Sequence, residues 1–369
     1  MVRRCPGAGY PTGTPPDSFD LTFCKMQTRR ASLTDLATAL QLSPSTVSRA
    51  LADHKDVSEA TKGRVRQLAA ELHYQPNQLA ASLRRGRTHT IGVLVPHITG
   101  HFFPQVLDGI AAEASKAGFS VMIFQSNENA AQEKKNIELL MNSQVEGILV
   151  SLANTTTDFS HFELARQHNV PLVFFDRVLD NFRGDNVSAV ILDDYQGAYQ
   201  VVSHLIEQGC TRIAHLTGPR QLNIHRNRHQ GYRDALTAHG LEINEAYIAQ
   251  CEMSQQGGAQ AIAEMLKLPQ RPDALFGSND LAAAGAMQVV KAHGLRVPHD
   301  VAVAGFSNEA FATLTEPNLT SVDQGCETMG ISAVRLLQKM LNPNPDRLAQ
   351  PRNVVLKPRL IVRESSQRR

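Results

Sequence analysis

The chain has 369 residues, of which 42% are apolar and 20% charged, with five scattered cysteines. That length predicts two or three domains, and the composition excludes wholesale disorder. No apolar run approaches the ~18–20 residues of a membrane span. An odd cysteine count without a Cys-x-x-Cys pair excludes a disulfide scaffold and a zinc ribbon. Arg3 and Arg4 have no apolar stretch behind them, so no secretory signal is predicted and a cytoplasmic location is expected.

The net charge of +2 is unevenly divided. Residues 25–90 hold eleven Lys and Arg against five Asp and Glu, a net +6, which leaves −4 for the rest. A small basic module on a mildly acidic body suits a nucleic-acid binder, although a solvated basic surface would give the same count.

In chain order, residues 1–27 are rich in Gly, Pro and Thr and aperiodic, and are expected to form a disordered leader. Residues 28–76 show compact helical patterning. Leu33, Leu36, Ala37 and Leu40 share a face. Ser43 and Pro44 form a helix start, Ser as cap and Pro where its missing N–H costs nothing. Val47, Ala50 and Leu51 continue that helix. Ser58 is the predicted cap of a third, which carries Val65, Leu68, Ala69 and Leu72 and is stopped by Pro76. Three short helices so closely spaced predict a helix-turn-helix unit. Residues 77–90 then read as a linker with an apolar stripe (Leu79, Ala80, Leu83) and the basic run Arg84–Arg87.

From Thr90 the rhythm changes. Apolar runs at 91–95, 120–125, 147–152, 172–175, 189–192, 212–216, 274–276 and 301–305 alternate with helical stretches such as 104–116, 130–142, 195–208, 259–266 and 281–292. Such alternation predicts parallel sheets covered on both faces, and the number of units predicts two α/β lobes.

The run Leu33–Leu51, with Ser45-Thr46-Val47-Ser48-Arg49, then Val57–Lys62, Tyr74-Gln75-Pro76-Asn77 and Ile91-Gly92-Val93, resembles the LacI/GalR transcriptional regulators over about residues 32–365. The residues support this independently. Ser45, Thr46 and Ser48 can donate to phosphates or base edges, and Arg49 can pair bidentately with guanine. Ser45 and Arg49 lie at i and i+4, so both can face a major groove. Pro44 falls on a base-contacting position of the family, where it offers packing against a thymine methyl. Gln41 departs from the family, which often has Gly in that turn. The resemblance further implies that Asn77–Leu83 folds into a hinge helix on DNA, with Asn77 and Ala80 in the interface and Leu83 as a minor-groove wedge. An ordinary linker helix is the alternative.

In parallel α/β sheets ligands collect beyond the carboxyl ends of the strands. The residues there are His97–Phe103, Ser126-Asn127, Asp176-Arg177, Gly218-Pro219 with Arg226 and Arg228 beyond, Ser278–Asp280 and Phe306–Asn308. An aromatic wall with carboxylates, guanidiniums and amides suits a polyhydroxylated ligand, and the arginines hint at an acidic or phosphorylated sugar. The resemblance implies effector contacts by Phe102, Phe103, Asp176, Arg228 and Asp280, with Gln324 at a crossover. Asn127, Arg226 and Phe306 complete the candidate set. Asp280 has a second reading as cap of a helix starting at Leu281, and Arg177 and Arg226 as surface residues. His225 and His229 have metal-ligand spacing but no companion ligand, so no metal or cofactor is expected.

No Gly-x-Ser-x-Gly elbow or phosphate loop appears, so no enzyme is predicted. The alternative is a sugar-binding protein or sugar-acting enzyme on the same fold. The expected organisation is an all-α headpiece on a two-lobed periplasmic-binding-protein-like domain. One lobe is expected from 91–190 with 324–348, the other from 191–323 with 349–369, with crossovers near 189–193 and 321–325. Expected partners are a palindromic operator in double-stranded DNA, a small sugar-like effector and a second copy of the chain, with no membrane.

Overall fold

The computed structural model describes residues 31–74, 87–178, 184, 186–342 and 353–368. The leader at 1–27 and the hinge candidates Asn77, Ala80 and Leu83 lie outside the described residues. The chain divides into two compact units, residues 1–87 and 88–369.

The first unit holds α1 (Leu33–Leu40), α2 (Pro44–Leu51) and α3 (Glu59–Glu71). Each start is set locally. The Ser32 side chain accepts from Asp35 N and the Asp35 carboxylate returns to Ser32 N, a capping box. Ser43 caps α2 through Thr46 N with Pro44 at the first position, and Ser58 caps α3 through Thr61 N. Leu36, Ala37, Val47, Ala50, Val57 and Val65 form the core. Gln41 takes φ 52 and ψ 41 between α1 and α2, so the left-handed turn persists without glycine.

The second unit opens with β1 (Thr90–Val95), α4 (Phe102–Lys116), β2 (Ser120–Gln125), α5 (Ala130–Asn142), β3 (Gly147–Val150), α6 (Ser160–Gln167), β4 (Leu172–Phe175) and β5 (Val187–Leu192). There follow α7 (Asp194–Glu207), β6 (Ile213–Thr217), α8 (Asn223–Ala238), β7 (Ile248–Gln250), α9 (Gln255–Met265), β8 (Ala274–Gly277), α10 (Asp280–Ala292) and β9 (Ala302–Ala304). The chain ends in β10 (Ser321–Asp323), α11 (Cys326–Leu341), β11 (Val354–Leu356) and β12 (Arg359–Ile361).

The first sheet runs β11-β5-β4-β3-β1-β2 and the second β7-β6-β8-β9, with every pairing parallel. β3, β4, β6 and β8 are buried throughout, as strands covered on both faces must be, which explains the unbroken apolar runs of β3, β4 and β8, while β6 also buries His215 and Thr217. The order reverses between β1 and β3 and again between β6 and β8. The loops beyond those strands therefore open crevices.

The lobes are joined at three places. The chain crosses at Leu192–Asp194 and Asp323–Gly325, near the expected positions, and again between β11 and β12. The expected placement of all of 349–369 in the second lobe is corrected here. Val354–Leu356 pairs with Val190–Leu192 and so extends the first sheet. Arg359–Ile361 pairs antiparallel with β10. The short β7, β10, β11 and β12 escaped sequence reading because three residues are too few to show a period, whereas β9 lies inside the longer apolar run 301–305. No helix among the described residues is long and apolar enough to cross a membrane.

Candidate effector cleft and DNA-reading face

In the first unit, Val47 and Ala50 bury one side of α2, which leaves Pro44, Ser45 and Arg49 exposed and Thr46 and Ser48 half-buried on the other. The Ser43 hydroxyl lies 2.8 Å from both the Ser45 and the Thr46 hydroxyls, so the polar N-terminus is ordered around its cap. Lys62, one of the basic residues counted above, is buried between Asp53 and Glu59 at 3.0 and 2.7 Å. It serves the headpiece core, unlike exposed Arg49.

In the second unit the carboxyl ends of both sheets bound a cleft of about 700 Å3. Phe102, Phe103, Asp176, Arg228, Asp280 and Gln324 all line it. Arg228, on α8, is its most constrained group. Its Nε donates to Asp194 Oδ1 at 2.8 Å, Nη1 to the Ser278 carbonyl at 2.6 Å and Nη2 to Gln324 Oε1 at 3.3 Å. Its guanidinium stacks 3.7 Å from the centroid of Phe306. Asp194 opens α7 just after the first crossover, and Gln324 sits in the second, so one side chain joins the ligand wall to two of the crossings. Burial pushes the Asp194 carboxyl up to about 6 despite the pull of Arg228.

Asp280 is wholly buried. Its Oδ1 accepts from Ser321 Oγ at 2.6 Å and its Oδ2 from Glu309 N at 2.7 Å, and burial raises it to about 6. The cap reading is corrected: α10 starts at Asp280 itself, and Asn279 is the cap, its side chain accepting from Ala282 N. Gly305 lies against Asp280, where a Cβ would stand 2.1 Å from Oδ1.

On the first lobe, Asp176 adopts φ 59, a left-handed conformation that costs a non-glycine residue roughly 1 kcal/mol or more. Burial raises its carboxyl above the ordinary range. Arg177 is largely buried instead of surface-lying. Its Nη1 donates to both Glu128 oxygens, at 2.8 and 2.9 Å, and to Asn154 Oδ1 at 3.2 Å. His97 lies edge-on to Phe103, and burial lowers its pKa. The pKa of His225, also buried, is pushed well below the ordinary histidine value by desolvation and the nearby Arg228 charge.

Three candidates fall outside the lining. Arg226 is two residues from Arg228 on α8, about 200° around the helix, and so points elsewhere. Asn127 is exposed, and its side chain accepts from Gln125 Nε2. Phe306 is fully buried beneath Arg228 and supports the wall without forming it. Sequence reading missed Glu128, Asn154, His225, Glu252 and Glu309 as cleft residues. The loop after β3 carries Asn154, and inspecting it would have found that residue; Glu252 follows the unrecognised β7.

A two-lobed ligand-binding domain following a helix-turn-helix headpiece is the build of a ligand-controlled DNA-binding regulator. Residues 88–363 match the family model for periplasmic binding proteins and the sugar binding domain of the LacI family, and residues 32–77 that for bacterial regulatory proteins of the lacI family. The chain belongs to the LacI family of DNA-binding transcriptional regulators. It is 33% identical over 314 residues to the transcriptional repressor CytR of Escherichia coli K12, covering 85% of this chain and 90% of that one. It is 31% identical to the ribose operon repressor of Haemophilus influenzae, covering 91% and 98%. Among solved structures, the lac repressor dimer bound to operator and an anti-inducer superposes with a TM-score of 0.80 at 26% identity, covering 92% and 99%. The regulator CelR in complex with cellobiose superposes at 0.69 and 31% identity, covering 91% and 100%.

Proposed function

We propose that the protein is a cytoplasmic, non-catalytic repressor that binds a palindromic operator as a homodimer and is controlled by an uncharged sugar or sugar derivative held between its lobes. The observation that carries the ligand class is the charge balance of the cleft. Both lining guanidiniums are already matched, Arg228 by Asp194 and Arg177 by Glu128. Asp176, Asp280, Glu252 and Glu309 add further carboxylates without added arginine. An anionic ligand would meet like charge, whereas hydroxyls can bridge carboxylate and guanidinium and a ring face can lie on Phe102. This replaces the acidic or phosphorylated sugar that the arginines alone suggested.

The two-fold dimer is supported by its relatives and by the symmetry of two half-sites. Effector control requires different affinities for two closure states, a coupling of typically ~1–3 kcal/mol. Asn77, Ala80 and Leu83 are proposed as the hinge contacts, and Pro44, Ser45, Thr46, Ser48 and Arg49 as the major-groove set.

Calorimetry of the full-length protein against neutral sugars, sugar acids and sugar phosphates tests the reading. Neutral sugars are expected to bind, and Asp280→Ala to abolish that binding while DNA binding persists. Preferential binding of a sugar phosphate, or wild-type affinity in Asp280→Ala, rejects the ligand assignment. Absence of any duplex preference over random competitor at moderate salt rejects the regulator itself.

A further inference from the structure

Asn223 is the first residue of α8, in the second lobe, and is 4% exposed. Its side chain leaves that lobe and reaches the first. Nδ2 donates to the Asp176 carbonyl at 3.0 Å, and Oδ1 accepts from Val178 N at 3.0 Å. One amide thus meets the acceptor of one peptide and the donor of another, on either side of Arg177. A side-chain amide supplies both roles from one planar group whatever the pH.

The segment it holds carries Asp176, in its left-handed conformation, and Arg177, both on the cleft wall. The helix it comes from carries Ile224, His225 and Arg228, which line the same cleft. A ligand touching Asp176 and Arg228 therefore bridges the same two elements that the amide bridges. Opening the lobes breaks both hydrogen bonds at once. It also hands a buried carbonyl and a partly buried N–H back to water and frees the Asp176–Val178 backbone.

On this basis we propose that Asn223 is a positioning residue for effector recognition, an inter-lobe latch whose amide holds Asp176 and Arg177 in their binding arrangement only in the closed form. The inference rests on the cleft being the effector site, but its test needs no ligand, so the two can fail separately.

The test is amide hydrogen exchange on the full-length, ligand-free protein, comparing wild type with Asn223→Ala and Asn223→Leu. The leucine keeps the volume but offers neither donor nor acceptor. In both variants the Val178 amide, the one donor that Asn223 accepts from, is expected to exchange about tenfold faster or more, as a local opening is released. The amides of β1 and β6, inside each lobe, should stay at wild-type rates, which separates opening from unfolding. Unchanged exchange at Val178 overturns the latch, and so does acceleration spread equally through β1 and β6. Acceleration in Asn223→Ala alone assigns the effect to lost packing and overturns it as well. If the latch result holds while every sugar fails to bind, the effector reading falls and the latch stands.

Discussion

Arg228 and Asp194 form a buried ion pair in the second lobe, with Nη2 2.7 Å from Oδ1 and side chains 4% and 1% exposed. The arginine lines the cleft and the aspartate opens the helix that follows the first crossover. The cleft wall and the lobe geometry therefore share one contact. Breaking a buried pair from one side strands a charge, which costs far more than the pair itself contributes.

Asp194→Ala is accordingly expected to destabilise the second unit by ~3–5 kcal/mol, because the guanidinium keeps only the Ser278 carbonyl and Gln324 as partners. Adding Arg228→Met should recover part of that loss. Urea unfolding followed by circular dichroism reads both, and additive losses in the double variant would show that the two side chains are not coupled.

The Asp280 carboxyl predicts a pH effect of definite sign. Its folded pKa of about 6 lies above the ~3.9 of an unfolded aspartate, so the folded state binds the proton more tightly. Its contribution is full below about pH 4 and is lost as the pH rises through about 6. Asp280→Asn removes this term. The stability of the variant relative to wild type should rise between pH 4 and pH 7, and parallel urea midpoints across that range would contradict it.

Arg49 is exposed on the face of α2 opposite its buried Val47 and Ala50. Arg49→Ala should weaken specific DNA binding by ~1–3 kcal/mol per half-site and relax the choice of base. A selection from randomised duplexes checks this, and an unaltered preferred sequence would remove Arg49 from base reading.

Ser43 caps α2 and also orders the Ser45 and Thr46 hydroxyls. Ser43→Ala should cost ~0.5–2 kcal/mol of headpiece stability. Faster exchange of the α2 amides in the full-length chain is the expected signature, and wild-type protection there would mean that Pro44 alone suffices to start the helix.

Much of the fold was legible because its causes are local. Ser43, Pro44 and Ser58 act within one turn of their own position, and a strand covered on both faces, such as Leu172–Phe175, must be apolar at every residue. Strand ends also point to the cleft, so Phe102, Phe103, Asp176 and Asp280 could be anticipated among its lining, while Arg228, on α8, was placed there by the family resemblance. The failures share a physical origin. Arg226 was separated from Arg228 only by its angle around α8, and Phe306 from the cleft only by the guanidinium lying over it.

Local patterning marked most of the longer helices and strands, a basic helical module ahead of an α/β body, and many of the residues at strand ends. Which of those residues meet was set by the folded arrangement. Asp176 and Asn223 lie 47 positions apart, and Arg228 and Gln324 lie 96 apart. Such pairings depend on sheet order and lobe closure, which no local pattern encodes. They also set the charge balance of the cleft, because each lining guanidinium is seated against a carboxylate.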